Sequence, residues 1–180
     1  MTNGTYSQDR VYEEAASVHG AALERLARSY EADADICRDL LQDIHIALWR
    51  SFDKFDNRCS MRTWVYRVAH NVATSHVEKQ ARIRKRNFVS LDHLESLADE
   101  NAGEAATQQR YALDQLYAMI RELKPLDRQV MLMYLEGMNA AETADVTGLS
   151  ERNVATKIHR IKQALGQRLR KGGDRELRTS

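Results

Sequence analysis

Apolar residues recur at intervals of three and four through the N-terminal part of the chain, the spacing typical of amphipathic α-helices. Two stripes of this kind predict two helices: Val11, Ala15, Val18, Ala22, Leu26 and Tyr30, followed by Ile36, Leu40, Leu41, Ile44, Leu48 and Trp49. After a loop-like segment, Asp53–Cys59, Ser60 is suited to cap a third helix. The third stripe is Trp64, Val65, Val68, Ala69 and Val72. Three such helices can bury one another's stripes in a compact module.

The C-terminal part shows a second group of helical stripes. One stripe is expected to end before Pro125, because proline disfavours helix in the residue that precedes it; it contains Tyr111, Leu116, Met119, Ile120 and Leu123. The next is expected to close at Gly137 and contains Leu126, Val130, Met131, Tyr134 and Leu135. The last helix should direct inward Val154, Ile158, Ile161, Leu165 and Leu169.

Residues 139–168 have the spacing of a helix-turn-helix. Asn139 and Glu142 can form a capping box, Ala144 is small enough for two helices to cross closely, and Gly148 suits a left-handed turn. The last helix should expose residues able to bond base edges or phosphates in a major groove, namely Arg152, Asn153, Thr156, Lys157, His159 and Arg160. The alternative is a helical hairpin with a solvated charged face. Spacing and one-sided basic charge favour DNA binding.

Composition favours an all-α fold: the 180 residues include one proline and eight glycines, and 43% of them are hydrophobic. The polar N-terminus, MTNGTYSQDR, lacks the apolar core of a signal peptide. No apolar run approaches membrane-spanning length. Two cysteines without a CxxC pattern fit a reducing compartment. We therefore expect a soluble, cytoplasmic protein with no membrane insertion.

Charge is concentrated in two separate basic stretches. Residues 60–86 and residues 150–171 each hold seven basic residues against one acidic residue, a net charge of +6. Residues 87–149 hold eleven acidic and four basic residues, and residues 90–106 contain acids but no base. This layout predicts two basic modules joined by an acidic flexible linker. A ligand that meets both modules should be a long polyanion, of which DNA is the simplest example.

Three consecutive segments resemble the sigma-70 family of bacterial transcription initiation factors: DLLQDIHIALWR from Asp39, FDKFDNRCS from Phe52 and MRTWVYRVAHNVA from Met61. The similarity is greatest to the extracytoplasmic-function group, whose members have only the second and fourth conserved regions. The resemblance implies region 2 over residues 10–88, a linker over residues 89–109 and region 4 over residues 110–172. It implies two small helical domains, the C-terminal one a helix-turn-helix.

The resemblance also implies roles for individual residues. Asp39, Gln42 and Asp43 would bind the clamp helices of the polymerase β′ subunit. The loop and helix of residues 52–73 would recognise the minus-ten element as separated single strand, through Phe55, Asn57, Arg62, Arg67 and Asn71. The helix-turn-helix would read the minus-thirty-five duplex. The expected partners are core RNA polymerase, with its β′ and β subunits, promoter DNA and an anti-sigma factor. Trp64 is more consistent with the core than with base stacking, from its spacing with Val68 and Val72.

Two other classes of function account for less of the sequence. A stand-alone helix-turn-helix regulator would leave the Trp64–Asn71 segment and the acidic Asp39–Asp43 face unexplained. A helical enzyme acting on nucleic acid would need clustered carboxylates, metal ligands or an activated nucleophile, and the sequence offers none of these. Asp39 and Asp43 lack a partner motif for a metal site, so neither a metal nor a cofactor is expected. A non-enzymatic sigma factor is the leading hypothesis.

Overall fold

The computed structural model describes residues 3–87 and 104–176, and the part of the chain that it describes is helical and contains no strand. The helices are α1 (Asn3–Tyr30), α2 (Ala34–Ser51), a short 3-10 helix (Phe52–Lys54), α3 (Met61–Asn87), α4 (Glu104–Arg121), α5 (Pro125–Leu135), α6 (Ala140–Thr147) and α7 (Glu151–Glu176). The predicted all-α fold is confirmed. The chain forms two compact units, Met1–Glu122 and Leu123–Ser180.

Polar side chains set the helix boundaries of the first unit. The Asp33 carboxylate accepts hydrogen bonds from the amides of Asp35 and Ile36, at 2.9 and 3.0 Å, and so caps α2. The Ser60 hydroxyl accepts one from the Thr63 amide at 3.0 Å, which confirms the predicted cap of α3. These bonds satisfy amides that the first turn of a helix leaves without partners.

The core of the first unit lies between α1, α2 and α3. Its fully buried side chains include Leu23, Leu40, Ile44, Leu48, Val65 and His70. Burying each of the larger aliphatic side chains is worth about 1.5–3 kcal/mol. The predicted stripe of α1 is wrong at Val18, which is 70% exposed. The buried stripe of α1 also includes Leu23 and Ala27, and at 100° per residue Val18 lies about 140° and 180° around the helix from these two residues.

Helix α4 packs against α1 and therefore groups with the first unit. An Arg121 guanidinium N–H donates to the carbonyl oxygen of Arg28 at 2.9 Å. The sequence analysis instead assigned residues 110–172 to the second domain, as region 4. The residue at which region 4 begins stays a prediction. Of the expected linker, residues 89–103 lie outside the described residues, and residues 104–109 form the first turns of α4.

The second unit packs α5, α6 and α7 around Val130, Met133, Thr143, Val154 and Ile161, all of which are buried. Pro125 occupies the start of α5, where its missing N–H has no helical partner to lose. The inward stripe predicted for α7 is wrong at its end, because Leu169 is 51% exposed. The buried residues of α7 lie between Val154 and Leu165, and α5, with 11 residues and a length of about 16 Å, is too short to pack along the whole of α7.

His70 is buried in the core of the first unit. Its Nδ1 lies 3.0 Å from the Tyr30 hydroxyl, while its Nε2 has no hydrogen-bond partner among the described residues. Burial without a nearby carboxylate lowers the pKa of His70 to about 3. The imidazole is therefore neutral in the folded protein across the physiological range.

This buried imidazole predicts an acid-sensitive fold. Because the folded pKa lies below the ordinary value of 6.5, the unfolded chain binds more protons between these two values, and stability is complete above pH 6.5 and falls as the pH drops toward 3. His70 alone should remove about 2 kcal/mol from the free energy of unfolding between pH 7 and pH 5.

Urea unfolding at the two pH values should show this loss in the wild type and a smaller loss in His70→Gln. His159→Gln makes the same substitution at an exposed site and serves as the matched control. An unchanged pH dependence in His70→Gln would contradict the role given to the buried ring.

Candidate nucleic-acid interface

The loop between α2 and α3 carries a cluster of aromatic rings. The ring centroids of Phe55 and Trp64 are 5.3 Å apart, and those of Phe55 and Phe52 are 6.1 Å apart. The Trp64 indole N–H donates to the Ser51 hydroxyl at 2.9 Å. Phe52 is buried, whereas Phe55 and Trp64 are half-buried. Trp64 therefore supports the loop from within, and Phe55 lies on it as a partly open apolar surface.

The tip of this loop is held in a defined turn. Asn57 is exposed and has a φ of 59°, in the left-handed region that asparagine tolerates better than most residues. Beside it, the Arg58 guanidinium is paired with the Asp56 carboxylate, whose pKa is lowered mainly by this hydrogen bond. The turn displays the Asn57 side chain to solvent. A carboxamide in this position can bond the edge of an unpaired base.

Helix α3 does not place its three predicted DNA contacts on one surface. Arg67 and Asn71 are one turn apart, and Asn71 is exposed. Arg62 lies nine residues before Asn71, which at 100° per residue puts it about 180° away around the helix. Its guanidinium carbon is 6.0 Å from the centre of the buried Tyr66 ring. The structure thus brings Arg67 and Asn71 together and separates Arg62 from them.

Helix α2 presents an acidic face. Asp39, Gln42 and Asp43 are exposed and share the side of the helix away from the buried stripe of Leu40 and Ile44. Ile46, 40% exposed, continues the face seven residues after Asp39. The sequence reading missed Ile46 as part of this face, although the same helical periodicity could have found it. An apolar centre beside carboxylates is suited to a helix that carries both arginine and aliphatic side chains.

The predicted helix-turn-helix is confirmed by its backbone geometry. The Asn139 side chain accepts from the Glu142 amide at 2.9 Å, and the Glu142 carboxylate accepts from the Asn139 amide at 2.8 Å, so the capping box of α6 is complete. Gly148 ends α6 with a φ of 73°. The Ser150 hydroxyl then accepts from the Asn153 amide at 3.3 Å at the start of α7.

Helix α7 exposes most of the residues predicted to read duplex DNA. Arg152, Asn153, Thr156, His159 and Arg160 are all exposed. On an ideal helix they fall within about 120° of one another, opposite the buried stripe that begins at Val154. The arrangement gives the second unit a continuous polar and basic surface of the width of one helix face, which fits a major groove.

Lys157 differs from the other predicted contacts on α7. Its side chain is 31% exposed, and its Nζ lies 2.5 Å from a carboxylate oxygen of Asp127 on α5. The sequence reading missed Asp127, because a contact between residues thirty positions apart leaves no local pattern in the sequence.

Neither a metal site nor a membrane helix is found in the described part of the chain. No group of three or more His, Cys, Asp or Glu side chains there could hold a metal ion. None of the helices so described is both long and apolar enough to cross a membrane.

Comparisons with known proteins identify the family. The family profile "Sigma-70 region 2" matches residues 16–83, and "Sigma-70, region 4" matches residues 113–165. The RNA polymerase sigma factor CnrH of Cupriavidus metallidurans is 28% identical over 166 residues, which cover 87% of this chain and 85% of that protein. The ECF RNA polymerase sigma factor SigX of Bacillus subtilis is 30% identical over 132 residues, covering 71% and 68% of the two chains.

The fold is also that of a solved relative. The structure of CnrH in complex with the cytosolic domain of CnrY matches with a TM-score of 0.66 and 23% identity, covering 92% of each chain. The two matched regions, region 2 and region 4 of sigma-70, define a DNA-binding initiation factor of the transcription machinery. The chain belongs to the sigma-70 family, in its extracytoplasmic-function group. It is an RNA polymerase sigma factor, and the stand-alone regulator is not favoured.

The turn at Gly148 predicts opposite effects for two glycine substitutions in the second unit. A Cβ would meet nothing within 4 Å at either Gly148 or Gly166. The effect of alanine on stability at these two positions therefore depends on the backbone conformation alone. Gly148→Ala should destabilise by about 1–2 kcal/mol, because alanine disfavours the left-handed conformation. Gly166→Ala, inside α7, should stabilise by about 0.5–1 kcal/mol. Thermal unfolding of both variants checks this, and shifts of the same sign would contradict the assigned turn.

Proposed function

We propose that the two units recognise the two elements of a promoter in different states, the first as melted single strand and the second as duplex. The observation that carries this proposal is the division of basic charge, since a net charge of +6 falls in residues 60–86, which form nearly all of α3, and another +6 in residues 150–171, which form most of α7. Residues 10–88 act as region 2 and residues 110–172 as region 4, joined through residues 89–109.

The second unit reads the minus-thirty-five duplex by placing α7 in the major groove. Arg152, Asn153 and Arg160 can bond base edges, since arginine pairs with guanine and asparagine with adenine. The Thr156 hydroxyl donates to the Arg152 carbonyl at 2.9 Å, so Thr156 offers its methyl group and its oxygen lone pairs. His159 lies at one edge of this surface, where phosphates flank a groove, and Lys157 lies at the other edge, in its ion pair with Asp127.

The first unit captures the minus-ten element after strand separation. Flipping a base out of the stack costs a few kcal/mol, so a pocket must return comparable contacts. Phe55 supplies a surface for stacking, and the carboxamides of Asn57 and Asn71 supply donors and acceptors for base edges. Arg67 adds attraction for the backbone, while Arg62, on the other side of α3, approaches DNA only from a different direction.

The acidic face of α2 binds core polymerase. Asp39, Gln42 and Asp43 accept hydrogen bonds from arginines on the clamp helices of the β′ subunit, with Ile46 as an apolar contact between them. Contacts of the second unit with the β subunit complete the holoenzyme. None of these tasks needs a catalytic group in the sigma factor, because bond formation belongs to the polymerase.

An anti-sigma factor is a further proposed partner. The similar sigma factor CnrH has been solved in complex with the cytosolic domain of CnrY, which supports regulation of this chain by protein binding.

Charge reversal on α2 tests the polymerase contact. Asp43→Arg should weaken binding to core polymerase at least about tenfold, or about 1.4 kcal/mol, because it sets a cation against arginines. The change should leave the unfolding transition in place, since Asp43 is exposed. Competition for fluorescently labelled core polymerase measures the affinity. Glu13→Arg, an equal charge change at an exposed site on α1, should bind normally, and equal losses in both variants would contradict a specific contact.

Truncation of two matched asparagines tests the division of labour. Asn71→Ala should reduce open-complex formation about tenfold and leave recruitment of the holoenzyme within about twofold, because its contacts form only after melting. Asn153→Ala, at an exposed site on α7, should reduce recruitment and opening together. Permanganate reactivity of melted thymines reports opening, and footprinting at low temperature reports recruitment. Equal loss of both in Asn71→Ala would contradict the single-strand role.

A further inference from the structure

An ion pair joins the DNA-reading helix to the helix that packs behind it. The Lys157 ammonium on α7 and the Asp127 carboxylate on α5 approach to 2.5 Å, and their side chains are 31% and 27% exposed. The pair is therefore partly shielded from water. Solvent and salt screen its electrostatic attraction less than that of a fully exposed pair. It belongs entirely to the second unit.

The position of Lys157 explains why it alone among the predicted contacts on α7 is held in this way. On an ideal helix it lies about 60° from Arg160 and about 40° from the buried Ile161, at the border between the two faces. A lysine at such a border has a stem long enough to reach either the protein or a neighbouring phosphate. The carboxylate on α5 decides between these two directions.

Asp127 is well placed to act as a fixed anchor. It lies in the first turn of α5, where the helix dipole favours a negative charge. The next residue, Arg128, is buried and donates to the carbonyl oxygen of Leu123 at 3.2 Å, which ties the start of α5 to the chain before it. The carboxylate is thus presented from a rigid element.

We propose that Asp127 is a specificity-determining residue, which holds Lys157 in an ion pair and so keeps this charge from binding DNA phosphates. The proposal rests on the proposed function of α7 as the duplex-reading helix. Binding to unrelated sequences depends almost wholly on phosphate contacts, and each additional contact strengthens it without regard to sequence. Restraining one lysine at the border of the reading face therefore lowers the affinity for unrelated DNA. It lowers the affinity for the recognised element less, because base contacts also hold that complex together.

The test is a salt titration of the full-length chain on a short fluorescent duplex of unrelated sequence. Asp127→Asn should bind several-fold more tightly at low salt, and the slope of log K against log salt should steepen by about 0.9, the value for one further phosphate contact. Asp127→Glu should behave like the wild type because it retains the carboxylate. Asp127→Asn/Lys157→Met should lose the gain, which assigns it to Lys157.

A charge-matched control separates the ion pair from a general change of net charge. Glu151→Gln removes one negative charge from an exposed position of the same unit and should leave the salt slope as in the wild type. A wild-type slope in Asp127→Asn would overturn the proposal, and so would weaker binding by that variant. Weaker binding would mean that Asp127 orients Lys157 toward DNA.

The holoenzyme separates failure of this inference from failure of the proposed function. Its affinity is compared on a promoter with its own upstream element and with that element scrambled. If the wild-type holoenzyme does not distinguish these two duplexes, the role of α7 as duplex reader fails. If it does distinguish them, Asp127→Asn should reduce the ratio of the two affinities by several-fold, and an unchanged ratio would overturn the inference alone.

Discussion

Helices α1, α2 and α3 must each bury one apolar stripe against the other two, and this requirement fixes which residues of the first unit face outward. Burial of Leu40, Ile44 and Leu48 on α2 leaves Asp39 and Asp43 on the opposite side. Burial of Val65, Ala69 and Ala73 on α3 leaves Asn71 exposed. The surfaces proposed to bind polymerase and melted DNA are therefore consequences of a single core. A substitution that rotated either helix would disturb both surfaces at once.

In the second unit, by contrast, one long helix, α7, is packed against two short helices. The short helices are α5 and α6, and the turn at Gly148 leads from α6 into α7. Most of the polar side of α7 is left exposed. One cation of this helix, Lys157, is held in an ion pair with Asp127. If this pair persists on DNA, as proposed above, the net charge of α7 exceeds the number of phosphates that the helix neutralises.

The features predicted correctly from the sequence are those that depend on residues close together in the chain. The helices, the cap at Ser60, the capping box of Asn139 and Glu142 and the turn at Gly148 all follow from residue types at fixed short spacings. Val18 and Leu169 were wrongly placed in the core, because the width and length of a buried stripe depend on which helices pack against it. The pairs Tyr30–His70 and Lys157–Asp127 join residues 40 and 30 positions apart and left no local signal. The separation of Arg62 from Asn71 could have been predicted from the sequence, because nine residues at 100° per residue place them on opposite sides of a helix.

The most direct measurement is transcription of a genomic library from the source organism by purified core RNA polymerase, with and without this protein. A sigma factor with divided recognition should produce discrete start sites only when both components are present, and each site should share one upstream duplex motif and one motif at the melted region. The protein alone should bind those promoters weakly. Tight binding by the protein alone, together with no change in transcription, would contradict this function.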